Sequence, residues 1–129
     1  MSKKLFQRCV KMSRDLAEFD KAHVQRHFSY ICFRNKIICS GMNNKWRTNP
    51  IAKQFGHRFE VIHSEAAVIK ACPFNWNQLP NFTLVNVRLN RDLEVMSSMP
   101  CKFCTKMLDW FEVGEIFYSV SESQFERFK

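Results

Sequence analysis

The stretch Met99-Pro100-Cys101-Lys102-Phe103-Cys104 heads a helix-forming segment that runs to about Phe111 and stops at Gly114. Proline suits a first helical turn, where its missing N–H has no partner to lose. Glycine suits the residue that follows a last turn. On either side stand Thr83-Leu84-Val85-Asn86-Val87-Arg88-Leu89 and Glu115-Ile116-Phe117-Tyr118-Ser119-Val120, both rich in β-branched and aromatic residues. Both read as strands. Strand, helix and strand in succession make the unit of a parallel sheet, closed by a right-handed crossover.

Working outward, Ser64 to Cys72 is mostly apolar and reads as a buried helix that Pro73 stops. The segment from Cys72 to Phe82 reads as a loop. His27 to Arg34 is apolar on both alternating faces, as in a strand covered on two sides. Arg34-Asn35-Lys36 supplies a turn, and Ile37 to Gly41 returns as the second arm of a hairpin. Residues 3–20 carry Leu5, Cys9, Met12, Leu16 and Phe19 at spacings of three and four, the pattern of one helical face, with Ser2 placed to cap it. Residues 42–60 lose periodicity, with room for a short helical piece between Thr48 and Phe59. The tail from Ser121 to Lys129 suits a short helix or an edge strand equally well. No internal repeat or low-complexity run is present. The order predicts an α/β fold over residues 1–129 as one domain. It is a three-layer α/β/α sandwich around a mixed four- to five-stranded sheet.

The chain carries 20 Lys and Arg against 12 Asp and Glu, a net charge of +8. The excess is confined to residues 1–58, where 13 basic residues face 3 acidic ones; residues 59–129 have 7 against 9. A basic half-chain suits an anionic partner, and equally a solvated surface. No apolar run approaches the ~18 residues of a membrane span, so no membrane is expected. The basic N-terminus is not followed by an apolar segment, which predicts a cytoplasmic protein whose thiols stay reduced. Of the six cysteines, Cys9, Cys32, Cys39 and Cys72 lie in apolar stretches and are expected in the core.

Cys101 and Cys104 are left for chemistry. Alone, Cys-x-x-Cys also suits a redox pair or half a zinc finger. Upstream, however, His63-Ser64-Glu65 opens the other helix. Two thiolates and one imidazole at two helix starts make a three-ligand Zn²⁺ site, one ion per chain, with a position left for water. The positive helix end favours the thiolates. Two thiolates nearly neutralise the ion, which stays acidic enough to activate water near neutral pH. Glu65, two residues from His63, is expected to move protons rather than to ligate. A four-ligand structural site would need His57 or Cys72, at irregular spacing.

The joint pattern His-x-Glu and then Pro-Cys-x-x-Cys resembles that of the cytidine and deoxycytidylate deaminase superfamily, over about residues 26–120. The resemblance implies a cytidine deaminase-like sheet flanked by helices. It implies His63, Cys101 and Cys104 as zinc ligands, and Glu65 as the catalytic proton carrier. It also implies a hydrolytic conversion of cytosine to uracil. A histidine as first ligand is like the deoxycytidylate, tRNA-adenosine and polynucleotide branches. An Asn after the second strand commonly contacts the sugar in this family, so Asn43 or Asn44 is expected there. The loop Asn44-Lys45-Trp46-Arg47-Thr48-Asn49-Pro50 resembles one seen in phage and bacterial members. It offers Lys45 and Arg47 to phosphate, Trp46 for stacking on a base or for local packing, and Thr48 beside them.

The expected substrate is a cytosine nucleotide or nucleoside such as dCMP or cytidine. The alternative is a cytosine in single-stranded DNA or RNA. The rival of another class is a non-catalytic zinc module that binds nucleic acid. By the resemblance, polynucleotide and tRNA enzymes of the family usually carry a further helix and a fifth strand beyond the position of Val120, and the segment that often selects flanking bases is short here, Ser119 to Ser123. This favours the smaller ligand, or a homo-oligomer that completes the pocket.

Overall fold

The computed structural model describes residues 1–19, 26–43, 63–73 and 75–129. Within them a six-stranded mixed sheet and three α-helices make an α/β architecture. The elements are α1 (Lys3–Phe19), β1 (Arg26–Phe33), β2 (Lys36–Met42), α2 (Ser64–Ala71), β3 (Thr83–Leu89), β4 (Val95–Met96), α3 (Lys102–Trp110), β5 (Glu115–Ser121) and β6 (Gln124–Arg127). The sheet order is β2-β1-β3-β5-β6, with β4 paired to β3 off that path. None of the described helices is long and apolar enough to cross a membrane.

The expected hairpin forms, and its two-residue turn places both Arg34 and Asn35 at positive φ, 49° and 63°. That handedness matches the twist of paired strands. β1 is antiparallel to β2 and to β3, whereas β3 and β5 are parallel neighbours, so one crossover of the expected kind joins adjacent strands. The other does not, because β1 inserts between β2 and β3.

Alternation along β1 and β3 sorts the core into two layers. Phe28, Tyr30 and Cys32 of β1, with Val85, Val87 and Leu89 of β3, pack against Leu5, Phe6, Cys9, Val10 and Ala17 of α1. Ile31 and Leu84 face the other way, into a cluster with Val68 and Ile69 of α2 and Met107 and Leu108 of α3. Polar residues in these strands therefore have a defined side, and Ser29 and Asn86 fall on that of α2 and α3.

Several expectations are corrected. The buried face of α1 is rotated from the one read: Leu5 and Cys9 are buried, but Met12 and Leu16 are exposed, at 36% and 37%. The side chain of Phe19 lies outside the described residues. Ser13 replaces Met12 in the stripe. It donates to the Cys9 carbonyl at 2.8 Å, so at 2.6 Å it accepts from the buried Tyr30 hydroxyl. Ser2 caps α1 as expected, accepting from Leu5 N–H at 3.1 Å. The segment before β3 is not all loop: Trp76–Asn81 forms a 3₁₀ helix. The tail is a strand, because Phe125 reaches both Phe6 of α1 and Phe117 of β5, with ring centroids 5.0 Å and 5.8 Å away. Strands β4 and β6 bring the sheet to six rather than the four to five expected.

Two glycines set close contacts. A Cβ on Gly41 would lie 2.3 Å from the backbone nitrogen of Val68, so β2 and α2 meet backbone to backbone. Gly114 was read as the residue that ends the helix; there the positive φ belongs to Glu112, at 56°. Gly114 instead admits the Pro80 carbonyl, which a Cβ would approach to 2.2 Å.

Candidate metal centre

α2 and α3 begin in the same way. His63 is the N-cap of α2 and Cys101 the N-cap of α3, both in extended conformation. Pro100 thus precedes the cap instead of sitting in the first turn. At the α3 cap, Cys101 Sγ accepts from Cys104 N–H at 3.4 Å, and the Cys101 carbonyl accepts from Thr105 N–H at 2.8 Å. At the α2 cap, the His63 carbonyl accepts from Ala67 N–H at 3.0 Å. The cap geometry turns three side chains toward one point.

His63 Nδ1 lies 3.5 Å from Cys101 Sγ and 3.5 Å from Cys104 Sγ. All three ligand atoms fall within 4.8 Å of one another, and the group could hold a metal ion. Cys104 is fully buried, while His63 and Cys101 are partly exposed. The electrostatics of the cluster are set by its own members. The Cys101 thiol is pulled down to about 3, by hydrogen bonding from Cys104 first and from His63 as well. The Cys104 thiol is pushed up by that same neighbour and by burial. Cys101 in turn holds His63 toward its protonated form.

Glu65 is buried beside this cluster, at 5% exposure. Burial pushes its carboxyl upward, the shift expected of an acid kept from water. Its Oε1 accepts from the Ser64 hydroxyl at 3.1 Å, and its Oε2 from Asn86 Nδ2 at 3.1 Å. Ser29 joins the ring, 2.6 Å from Asn86 Oδ1 and 2.8 Å from Ser64 Oγ. An amide oxygen can only accept, so the single Ser29 hydrogen goes to Asn86. The single Ser64 hydrogen goes to Glu65 Oε1, so the Ser29–Ser64 oxygen pair has no hydrogen of its own, and the network reaches the Glu65 carboxyl from Ser64 on one side and Asn86 on the other.

The structure brings His63, Glu65, Cys101 and Cys104 together as the spacing suggested. Asn43 pairs with His27: its Oδ1 accepts from His27 N–H at 2.9 Å, and its own N–H donates to the His27 carbonyl at 3.1 Å. That pairing extends the open end of the hairpin beyond Phe28 and Met42. Asn44, Lys45, Trp46, Arg47 and Thr48, the helical piece expected between Thr48 and Phe59, and His57 lie outside the described residues. The exposed basic residues of α1, among them Lys4, Arg8 and Lys11, lie on the helix that covers the far face of the sheet from α2 and α3. Sequence reading missed Ser29, Asn86, Ser98 and Ser119, all buried. A usable signal existed, since a lone Asn inside Thr83 to Leu89 has no packing reason to be there.

Of the four cysteines expected in the core, Cys9 and Cys32 are fully buried, and Cys39 and Cys72 pack at its margin. No protein-family model matches the chain, and no curated protein does.

Proposed function

We propose that this chain is a zinc-dependent hydrolytic deaminase of a cytosine base, with a cytidine deaminase-like fold. The observation that carries the reading is the meeting of His63, Cys101 and Cys104 beside the buried Glu65. The donor set suits zinc. In a tetrahedral site with Zn–S near 2.3 Å and Zn–N near 2.0 Å, nitrogen and sulfur ligand atoms stand about 3.5 Å apart. Both nitrogen–sulfur spacings here are 3.5 Å. Three protein ligands among the described residues, two of them partly exposed, favour a catalytic over a structural ion. Bound there, zinc would supply the Lewis acidity that activates water for attack on C4 of the base.

The remaining work falls to Glu65. It accepts a proton from the attacking water and delivers it to N3 as C4 becomes tetrahedral. It then carries the second water proton to N4. The C4–N4 bond breaks, ammonia leaves, and the C4–O bond remains as the uracil carbonyl. Burial that raises the carboxyl pKa suits a group that must both take and return a proton near neutral pH.

Among substrates, a cytosine nucleotide or nucleoside such as dCMP or cytidine is placed ahead of single-stranded nucleic acid. The α1 charges cover the sheet face opposite the cluster, so they offer no track for a polynucleotide into it. The test offers dCMP, cytidine and a cytosine-containing single-stranded oligonucleotide in parallel, and reads uracil by mass spectrometry. The proposal expects turnover of a small substrate with little dependence on salt. Turnover of the oligonucleotide alone, falling steeply with salt, would reassign the substrate. Zinc retention with oligonucleotide binding and no uracil from any of the three would identify a non-catalytic module.

A further inference from the structure

We infer that Asn86 is the positioning residue of Glu65, with its own orientation fixed by Ser29 and Ser98. The inference rests on the deaminase reading of Glu65 and assigns a role to residues outside the His-x-Glu and Pro-Cys-x-x-Cys motifs. Asn86 sits in β3 on the sheet face that α2 covers, and it is almost fully buried, at 3% exposure. Its Nδ2 donates to Glu65 Oε2 at 3.1 Å and to the Ser98 carbonyl at 3.4 Å. Both of those partners are acceptors, so the nitrogen must face them. On the other side Ser29 Oγ donates to Oδ1 at 2.6 Å. An amide with acceptors on one side and a donor on the other cannot flip without losing all three bonds.

Ser98 is itself held. Its hydroxyl donates to the Asn86 backbone carbonyl at 2.8 Å, and Ser119 N–H donates to its Oγ at 2.8 Å. β3 and β5 are thereby stitched together directly behind the amide. A carboxyl on a three-bond side chain has rotamers to choose from. Glu65 is left one, because Ser64 fixes one oxygen and Asn86 the other. Asn86 belongs to the sheet rather than to α2, so it ties the position of the proton carrier to the scaffold and not only to its own helix. Loss of such a supporting partner at a metal site typically lowers activity ~10–100-fold.

The experiment compares wild type with Asn86→Leu, which keeps the size and loses the amide, and with Ser29→Ala and Ser29→Thr. Each is measured for zinc content, thermal midpoint, kcat and KM, and its crystal structure is solved. The expected result is a kcat loss of ~10–100-fold in Asn86→Leu. KM and zinc content stay near wild type, and the Glu65 carboxyl leaves its position. Ser29→Ala should show a smaller kcat loss that Ser29→Thr restores, which carries the test if Asn86→Leu does not fold. An unmoved Glu65, a kcat within twofold of wild type, or losses of kcat and zinc in proportion would overturn the inference. If wild type itself releases no ammonia, the deaminase reading fails separately, and the crystallographic position of Glu65 alone decides the positioning claim.

Discussion

His63 Nδ1 stands 3.5 Å from Cys101 Sγ, and the two residues are N-caps of different helices, 38 positions apart in the chain. A helix N-terminus carries partial positive charge, which favours a thiolate at the Cys101 cap. The fold needs two crossover helices to start at the same end of the sheet for these caps to meet. The parallel pairing of β3 with β5 supplies that arrangement.

Metal binding should therefore be linked to stability. A ligand that binds only the native state adds about 2.7 kcal/mol when present at 100 times its Kd. Chelation should lower the thermal midpoint of the wild type, and zinc should restore it. His63→Ala, Cys101→Ser and Cys104→Ser should each lose the metal and the response to chelator together. Calorimetry with and without chelator checks this. An undiminished response in Cys101→Ser would remove that residue from the ligand set.

Gly41→Ala should destabilise the fold through α2. Its Cβ would meet Val68 N at 2.3 Å and Ala67 C at 2.8 Å, both rigid backbone atoms. The helix must move outward, and overpacking of this kind costs about 1–3 kcal/mol or more. Because α2 carries His63 at its cap and Glu65 in its first turn, zinc affinity should fall as well. Urea unfolding and zinc titration measure the two effects.

Ser13→Ala should cost more than Tyr30→Phe. The alanine leaves the buried Tyr30 hydroxyl without the oxygen it donates to, at 2.6 Å in the native protein. A buried donor left unsatisfied costs about 1–3 kcal/mol. The phenylalanine removes the donor itself, and Ser13 keeps its bond to the Cys9 carbonyl. Denaturant midpoints of the two variants give the comparison.

His27 gives the fold a pH dependence with a definite sign. Burial, and then the Arg88 guanidinium, hold it down to about 4 against an ordinary 6.5, with His63 acting in the same direction and Cys101 against it. Between those values the unfolded chain binds the extra proton, so stability falls as pH falls. The contribution is present above the unfolded value and lost on approach to the folded one, about 3 kcal/mol at most. Urea unfolding of metal-free protein at pH 7.5 and 4.5 should show a smaller acid loss in His27→Gln than in wild type.

Much of this arrangement was legible in the chain. Strand β3 matches its reading residue for residue, because a run rich in β-branched residues, with Val85, Val87 and Leu89 on one face, suits a pleated strand. The His-x-Glu and Cys-x-x-Cys spacings located four side chains that the structure brings together. What escaped had physical reasons. The α1 stripe was read from apolar identity, and Ser13 is buried because two hydrogen-bond partners await it, which no periodicity records. β4 is two residues long, too short for a pattern. The importance of Asn86 lies in Ser29, Glu65 and Ser98, residues distant in sequence. Gly114 was given the role of a helix stop, although a contact with Pro80 is what demands it.

The most direct test of the central claim sets Glu65→Ala beside wild type, measuring zinc content and ammonia release from dCMP and cytidine on the same preparations. Glu65 touches the reacting atoms in this account and contributes nothing to metal ligation. The account predicts one zinc per chain in both proteins, ammonia from the wild type, and none above background from Glu65→Ala. Ammonia release by Glu65→Ala at the wild-type rate would contradict it.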